Sequence, residues 1–180
     1  MQERRYLVLS ALASDRPGLV ATVTDFIAAR GGNVEDSRMV VLGAEFGILL
    51  LVSGEEATLA RITHDAEELR RTAGLDLLVK RTRSPEEHRR AAVVPCLVTA
   101  ESLDREGIVK AVSEALGRLG LNIVSLQTTS YSAPFTGSNL FHLEARIDVP
   151  RGMTITQVRA AMDEVARQEH LDIEVRSLVG

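Results

Sequence analysis

A single cysteine in 180 residues, Cys96, leaves no partner for an internal disulfide, so the fold has to stand on its core, as suits a reducing compartment. Long apolar runs are missing too. The longest, Phe46 to Val52, falls far short of the ~20 residues that a membrane helix requires. The apolar stretch from Tyr6 to Leu12 is short and flanked by charge, which does not read as a secretory signal. Basic residues are not in excess either: 21 Lys and Arg against 25 Asp and Glu leave a formal net charge of −4. That balance gives no global attraction to DNA, RNA or an anionic membrane. The expected setting is the cytoplasm, with no membrane contact and no direct nucleic-acid contact.

Several kinds of chemistry are absent as well. The phosphate-binding patterns GxxxxGK[ST] and GxGxxG do not occur, nor does the nucleophile pattern GxSxG. His64, His88, His142 and His170 are scattered, without a Cys or His neighbour at metal-ligand spacing, so neither a metal nor a cofactor is expected. Cys96 lies in an apolar strand and reads as an inert buried thiol. There is no evident helix-turn-helix, and an enzyme is not expected.

What the chain does have is a repeat. Asp15 to Asn33, DRPGLVATVTDFIAARGGN, is echoed 89 positions later by Asp104 to Asn122, DREGIVKAVSEALGRLGLN. Gly18 and Gly107, Gly31 and Gly120, and Asn33 and Asn122 all keep that interval.

Apolar periodicity extends the repeat to the whole chain. Tyr6 to Ala13 reads as a strand. Asp15 and Arg16 stand where a helix N-cap belongs, Pro17 suits the first helical position, and Leu19, Val20, Val23, Phe26 and Ile27 recur at helical spacing up to Gly31 and Gly32. Asn33 to Val41 and Phe46 to Val52 form a hairpin across LGAE. Glu55 to Thr72 reads as one helix, with acidic residues early and arginines late, and Leu75 to Arg81 is the last strand. The second half repeats the order: a strand at Val93 to Ala100, a helix at Glu106 to Leu119, a hairpin of Leu121 to Tyr131 with Leu140 to Val149, a helix at Thr154 to Glu169 and a strand at Leu171 to Leu178. Phe46 and Phe141 stand 95 apart, so the second hairpin is six residues longer, in SAPFTGS, a loop expected to be mobile.

The order β-α-β-β-α-β, twice, predicts an α+β protein of two tandem ferredoxin-like domains, residues 1–83 and 92–180, joined by a polar linker at 84–91. Each has a four-stranded antiparallel sheet with two helices on one face, because each right-handed crossover leaves its helix on the same side. Strands such as GILLLVS are apolar at successive positions, so the uncovered face is expected to meet another sheet, with the duplicated half as the partner and homo-oligomers on top of it.

DRPGLV ahead of a helix, followed by GGNVEDSRM and a hairpin, resembles the ACT domain family of ligand-sensing modules. The longer string NVEDSRMVVLGAEFGILLLVSG, with DLLVKRT, is similar more narrowly to the tandem-ACT repressors of the glycine cleavage system. The resemblance implies an amino-acid-sensing regulatory protein, with glycine as the ligand to test. It further implies that repression works through contact with a transcriptional activator of the LysR type. Two other readings stand beside it: a ligand-independent ACT pairing module, and a regulatory subunit acting in trans on a metabolic enzyme.

The strand-to-helix loops suit an amino acid. A first helical turn presents unpartnered N–H groups to a carboxylate, and Gly18 or Gly107 admits close backbone approach. Asp15 or Asp104 suits the ammonium, and Asn33 or Asn122 offers a donor and an acceptor. Arg16, Pro17 and Leu19, with Ile108 in the second copy, complete the expected ligand-binding set. Taken singly, Asp15 reads first as a helix cap worth ~1 kcal/mol and Asn33 as a turn residue, and a duplicated fold repeats its caps too.

Overall fold

A computed structural model describes residues 4–87, 92–133 and 137–179. The chain divides into two compact units, Met1–Arg89 and Arg90–Gly180. The tip of the long hairpin loop, residues 134–136, lies outside the described residues, as do linker residues 88–91 and with them His88.

In unit 1 the order is β1 (Arg5–Ser14), α1 (Leu19–Ala29), β2 (Asn33–Leu42), β3 (Glu45–Gly54), α2 (Glu56–His64), α3 (Ala66–Ala73) and β4 (Asp76–Thr82). Unit 2 runs β5 (Val93–Leu103), α4 (Ile108–Arg118), β6 (Asn122–Ser132), β7 (Asn139–Pro150), α5 (Ile155–Glu169) and β8 (Asp172–Ser177). Both sheets are fully antiparallel with the same strand order, β2-β3-β1-β4 and β6-β7-β5-β8. Each is a four-stranded ferredoxin-like sheet, as the repeated order of elements requires.

Strand alternation directs one face of each sheet at its helices. Leu7, Leu9, Ala11, Ile48, Leu50 and Val52 meet Val23, Ile27, Leu59 and Ile62 in the first core. Cys96, Val98, Ala100, Leu143, Ala145 and Ile147 meet Val112, Leu116, Val158 and Met162 in the second. Each core closes within its own unit. The other faces differ. In unit 1 that face leaves Leu12, Leu49 and Leu78 exposed at 48%, 47% and 65%. In unit 2 it carries Glu101, Glu144, Arg146, Glu174 and Arg176, with His142 3.2 Å from Glu101.

One local expectation changes. The span Glu55 to Thr72 is two helices, broken at Asp65. Arg30 lies 3.7 Å over the Phe26 ring and donates through Nε to Asp65 at 2.8 Å, so the carboxylate is drawn to the end of α1 where an unbroken helix would carry it past. The counterpart α5 is continuous and opens on a capping box of Thr154 and Gln157. Finally, β2 and β6 each bulge at the equivalent place, between Val34 and Asp36 and between Ile123 and Ser125, so Glu35 and Val124 fall out of register.

Candidate functional site

The β1–α1 turn is built differently from the expected cap. The Asp15 backbone N–H donates to the Ala44 carbonyl at 2.9 Å, and that of Asp104 to the Asn139 carbonyl at 2.8 Å, so both aspartates prolong the sheet. The chain must then reverse within a few residues, and the caps are Gly18 and Gly107, at φ of +92° and +93°. Neither helix has a side-chain cap. Asp15, Arg16 and Pro17 therefore precede the cap, and Pro17 is not the first helical residue. Glycine is required for its left-handed backbone, and a Cβ at either position would meet only open space.

The arginines have a further task. Arg16 donates through Nη2 to the carbonyl of Ala73, at the C-terminus of α3. Arg105 donates through Nη2 to the carbonyl of Glu169 at the end of α5, and to its carboxylate at 2.8 Å. Each loop is thus tied to the negative end of a neighbouring helix, where carbonyls lack intrahelical partners.

A groove opens beside each loop. In unit 1 it has a volume of about 540 Å³, and Asp15 to Leu19 line it together with Val20, Thr24 and Phe46. In unit 2 it holds about 440 Å³ between Arg105, Gly107, Ile108, Val109, Ser113 and Phe141. Seven lining positions correspond, with Ile108 for Leu19, Lys110 for Ala21 and Ser113 for Thr24, while Asp15 and Pro17 line only the first groove. Asp104 immediately precedes Arg105 but does not line the second groove. The phenylalanines were not foreseen as site residues. Their signal was each one's place just after a hairpin turn, level with the strand-to-helix loop.

Asn33 and Asn122 do not join these grooves within their own units. Asn33 pairs with Ser53 and Ser53 with Tyr6, while the loop follows Ser14, eight residues along β1 and roughly 27 Å away at strand rise. Asn33 therefore does not reach the loop of its own unit, and Asn122 is placed in the same way opposite Asp148. Instead, Asn33 donates to Glu35 at 3.0 Å, beside Ser53 at 2.5 Å and Arg4 at 3.1 Å. The Ser53 hydroxyl, with Asn33 and Arg4, holds the Glu35 carboxyl below its ordinary range. Asn122 donates to the Ile123 carbonyl at 3.4 Å.

Elsewhere the chemistry is quiet. Cys96 is buried, and burial pushes its thiol up, away from the reactive thiolate. Among the described residues no group of three or more His, Cys, Asp or Glu could hold a metal ion, and no helix is long and apolar enough to cross a membrane.

Comparison with known proteins places this geometry. Residues 5–80 match the ACT domain family. The chain is 26% identical over 161 residues to the glycine cleavage system transcriptional repressor of Escherichia coli K12, covering 89% of this chain and 84% of that protein. The crystal structure of an unknown protein from Galdieria sulphuraria superposes with a TM-score of 0.81 at 29% identity, covering 98% of this chain and all of that one. A crystal structure assigned to a glycine cleavage system transcriptional repressor shares the fold, at a TM-score of 0.72 and 24% identity over 97% of this chain and 98% of that one. Residues 5–80 thus match the ACT domain, a second unit with the same strand order follows, and the chain as a whole resembles the glycine cleavage system transcriptional repressor.

Proposed function

We propose that this chain is a cytoplasmic regulatory protein that senses a small amino acid, with glycine as the first ligand to test, and acts by contact with a transcriptional activator rather than by catalysis. The observation that carries the reading is the recurrence of one groove, with matched lining, at the same loop of both units. Its floor is the first turn of α1 or α4, whose N–H groups lack intrahelical partners and suit a carboxylate. Asp15 supplies a negative charge for the ammonium, and Val20 and Phe46 give an apolar wall to a small side chain. The likeness to the Escherichia coli repressor over most of both chains points to regulation as the output. Ligand that favours one of two packings would shift their populations and alter an exposed surface.

Calorimetric titration of the full chain with glycine and then the other amino acids tests this. Saturable heat is expected for at least one, and it should be lost in Asp15→Ala. Because Asp15 makes no side-chain cap to α1, that substitution should leave the circular dichroism and melting temperature unchanged. No heat from any amino acid at millimolar concentration would remove the sensor reading.

A further inference from the structure

Strand register lays out the uncovered face of the first sheet as a grid. Leu12 and Leu49 on its middle strands and Val40 and Leu78 on its edge strands are all exposed, Leu78 at 65%. One row crosses the sheet as Asp36, Leu51, Val8 and Lys80, so an acid on the β2 edge and a base on the β4 edge stand at the same height. In another row Gly47, without a side chain, lies beside Leu12. A dimple of about 110 Å³ between Val8, Asp36, Arg38, Leu49 and Leu51 leaves room for one aliphatic side chain.

We propose that this face joins two copies of the chain, packed sheet on sheet about a two-fold axis parallel to the strands. Such an axis lays β2 of one copy over β4 of the other and each row over itself. Asp36 then meets the partner's Lys80, and Lys80 meets the partner's Asp36. Leu12 of each copy enters the space above the partner's Gly47, and Leu78 approaches the dimple beside Leu49. The row from Asp36 to Lys80 is self-complementary in charge, with Asp36 also held by Arg38 of its own strand at 2.5 Å, and the row through Gly47 is self-complementary in shape, while Arg38 and Asp76 face the partner's Leu78 and Val40. Four strands at ~4.8 Å spacing and ~3.3 Å per residue present roughly 600 Å² on each partner, about 1,200 Å² in all, the lower bound for a specific stable interface. The same face of unit 2 is charged through its middle, at Glu101, Glu144, Arg146, Glu174 and Arg176, and its apolar residues Leu103, Leu140 and Tyr131 lie in a single row at one end. A two-fold axis through the unit 1 face closes the pair. The sensor reading and this one stand independently.

Sedimentation equilibrium of the full chain tests the proposal, with circular dichroism to check the fold of each variant. The native chain should sediment as a dimer. Leu49→Asp should halve the apparent mass, to the 19.6 kDa of one chain. Lys80→Asp and Asp36→Lys should each be monomeric alone, and their equimolar mixture should recover the dimer, because both cross-contacts again pair an acid with a base. A native chain that stays monomeric up to sub-millimolar concentration overturns the proposal and leaves the face to a different protein. A Leu49→Asp chain that remains dimeric overturns it as well, and a folded mixture that stays monomeric overturns the axis.

Discussion

Arg16 and Arg105 show how one residue type in a repeated motif serves the scaffold while standing at the edge of a groove. Both reach the terminal carbonyl of a helix in their own unit, Ala73 and Glu169, and so set the position of the loop that carries Asp15 or Asp104. From the string DR alone, the arginine is equally a ligand residue, since nothing local reveals which distant carbonyl it will meet. Glu35 is the opposite case, a residue with no mark in the sequence that the bulge of β2 turns toward Ser53, Asn33 and Arg4. Its folded carboxyl lies below the ordinary glutamate value of 4.5, so its stabilising contribution is fully present above that value and is lost as pH falls through the lower folded one. Glu35→Gln should therefore cost about 1 kcal/mol in urea unfolding at pH 7. The gap between the two proteins should close on acidification below the folded value. A gap that widens in acid would mean that the Ser53 network does not depend on the charge.

The two copies of each element diverge where packing demands it. Gly32, after α1, has no room for a side chain: a Cβ there would lie 2.8 Å from Ile27 Cγ2, 2.8 Å from Ile62 Cδ1 and 3.2 Å from Val52 Cγ1. The matching residue after α4 is Leu121, buried in the second core. One unit fills this corner from the second helix and strand, the other from the connecting residue itself. Gly32→Ala should accordingly destabilise unit 1 by about 1–3 kcal/mol through overpacking, and Leu121→Ala should destabilise unit 2 by about 2–5 kcal/mol through a cavity. Denaturant unfolding of the two variants measures both, and a neutral Gly32→Ala would show that Ile62 yields easily. The glycine pair was visible in the sequence as a difference between copies. Its reason was not, because two of the three neighbours that forbid a side chain, Val52 and Ile62, lie 20 and 30 residues further along the chain. The break between α2 and α3 was hidden in the same way, since apolar spacing runs through Asp65 and its partner Arg30 stands at the C-terminal end of α1.

Each unit has its own complete core, the first built from residues between Leu7 and Leu77 and the second from residues between Cys96 and Val175. We propose on that basis that residues 1–83 and 92–180 are autonomous domains and that the polar stretch 84–91 between them is a linker. Limited proteolysis should cut first within 84–91, and each separated half should keep its circular dichroism and a cooperative melt. Halves that unfold on cleavage would overturn that division. Order of elements, duplication and the helix-facing core were all legible beforehand, since a side chain's inward or outward sense follows from periods of two and 3.6 that operate over a few neighbouring residues. Where Asn33 and Asp15 lie relative to each other, what Arg16 grips and which uncovered face is apolar depend on strand register and on partners far along the chain. Those matters belong to the folded molecule, because β1 and β2 run parallel on either side of β3 and α1 carries the chain back between them, so the two ends of one motif lie at opposite ends of the sheet.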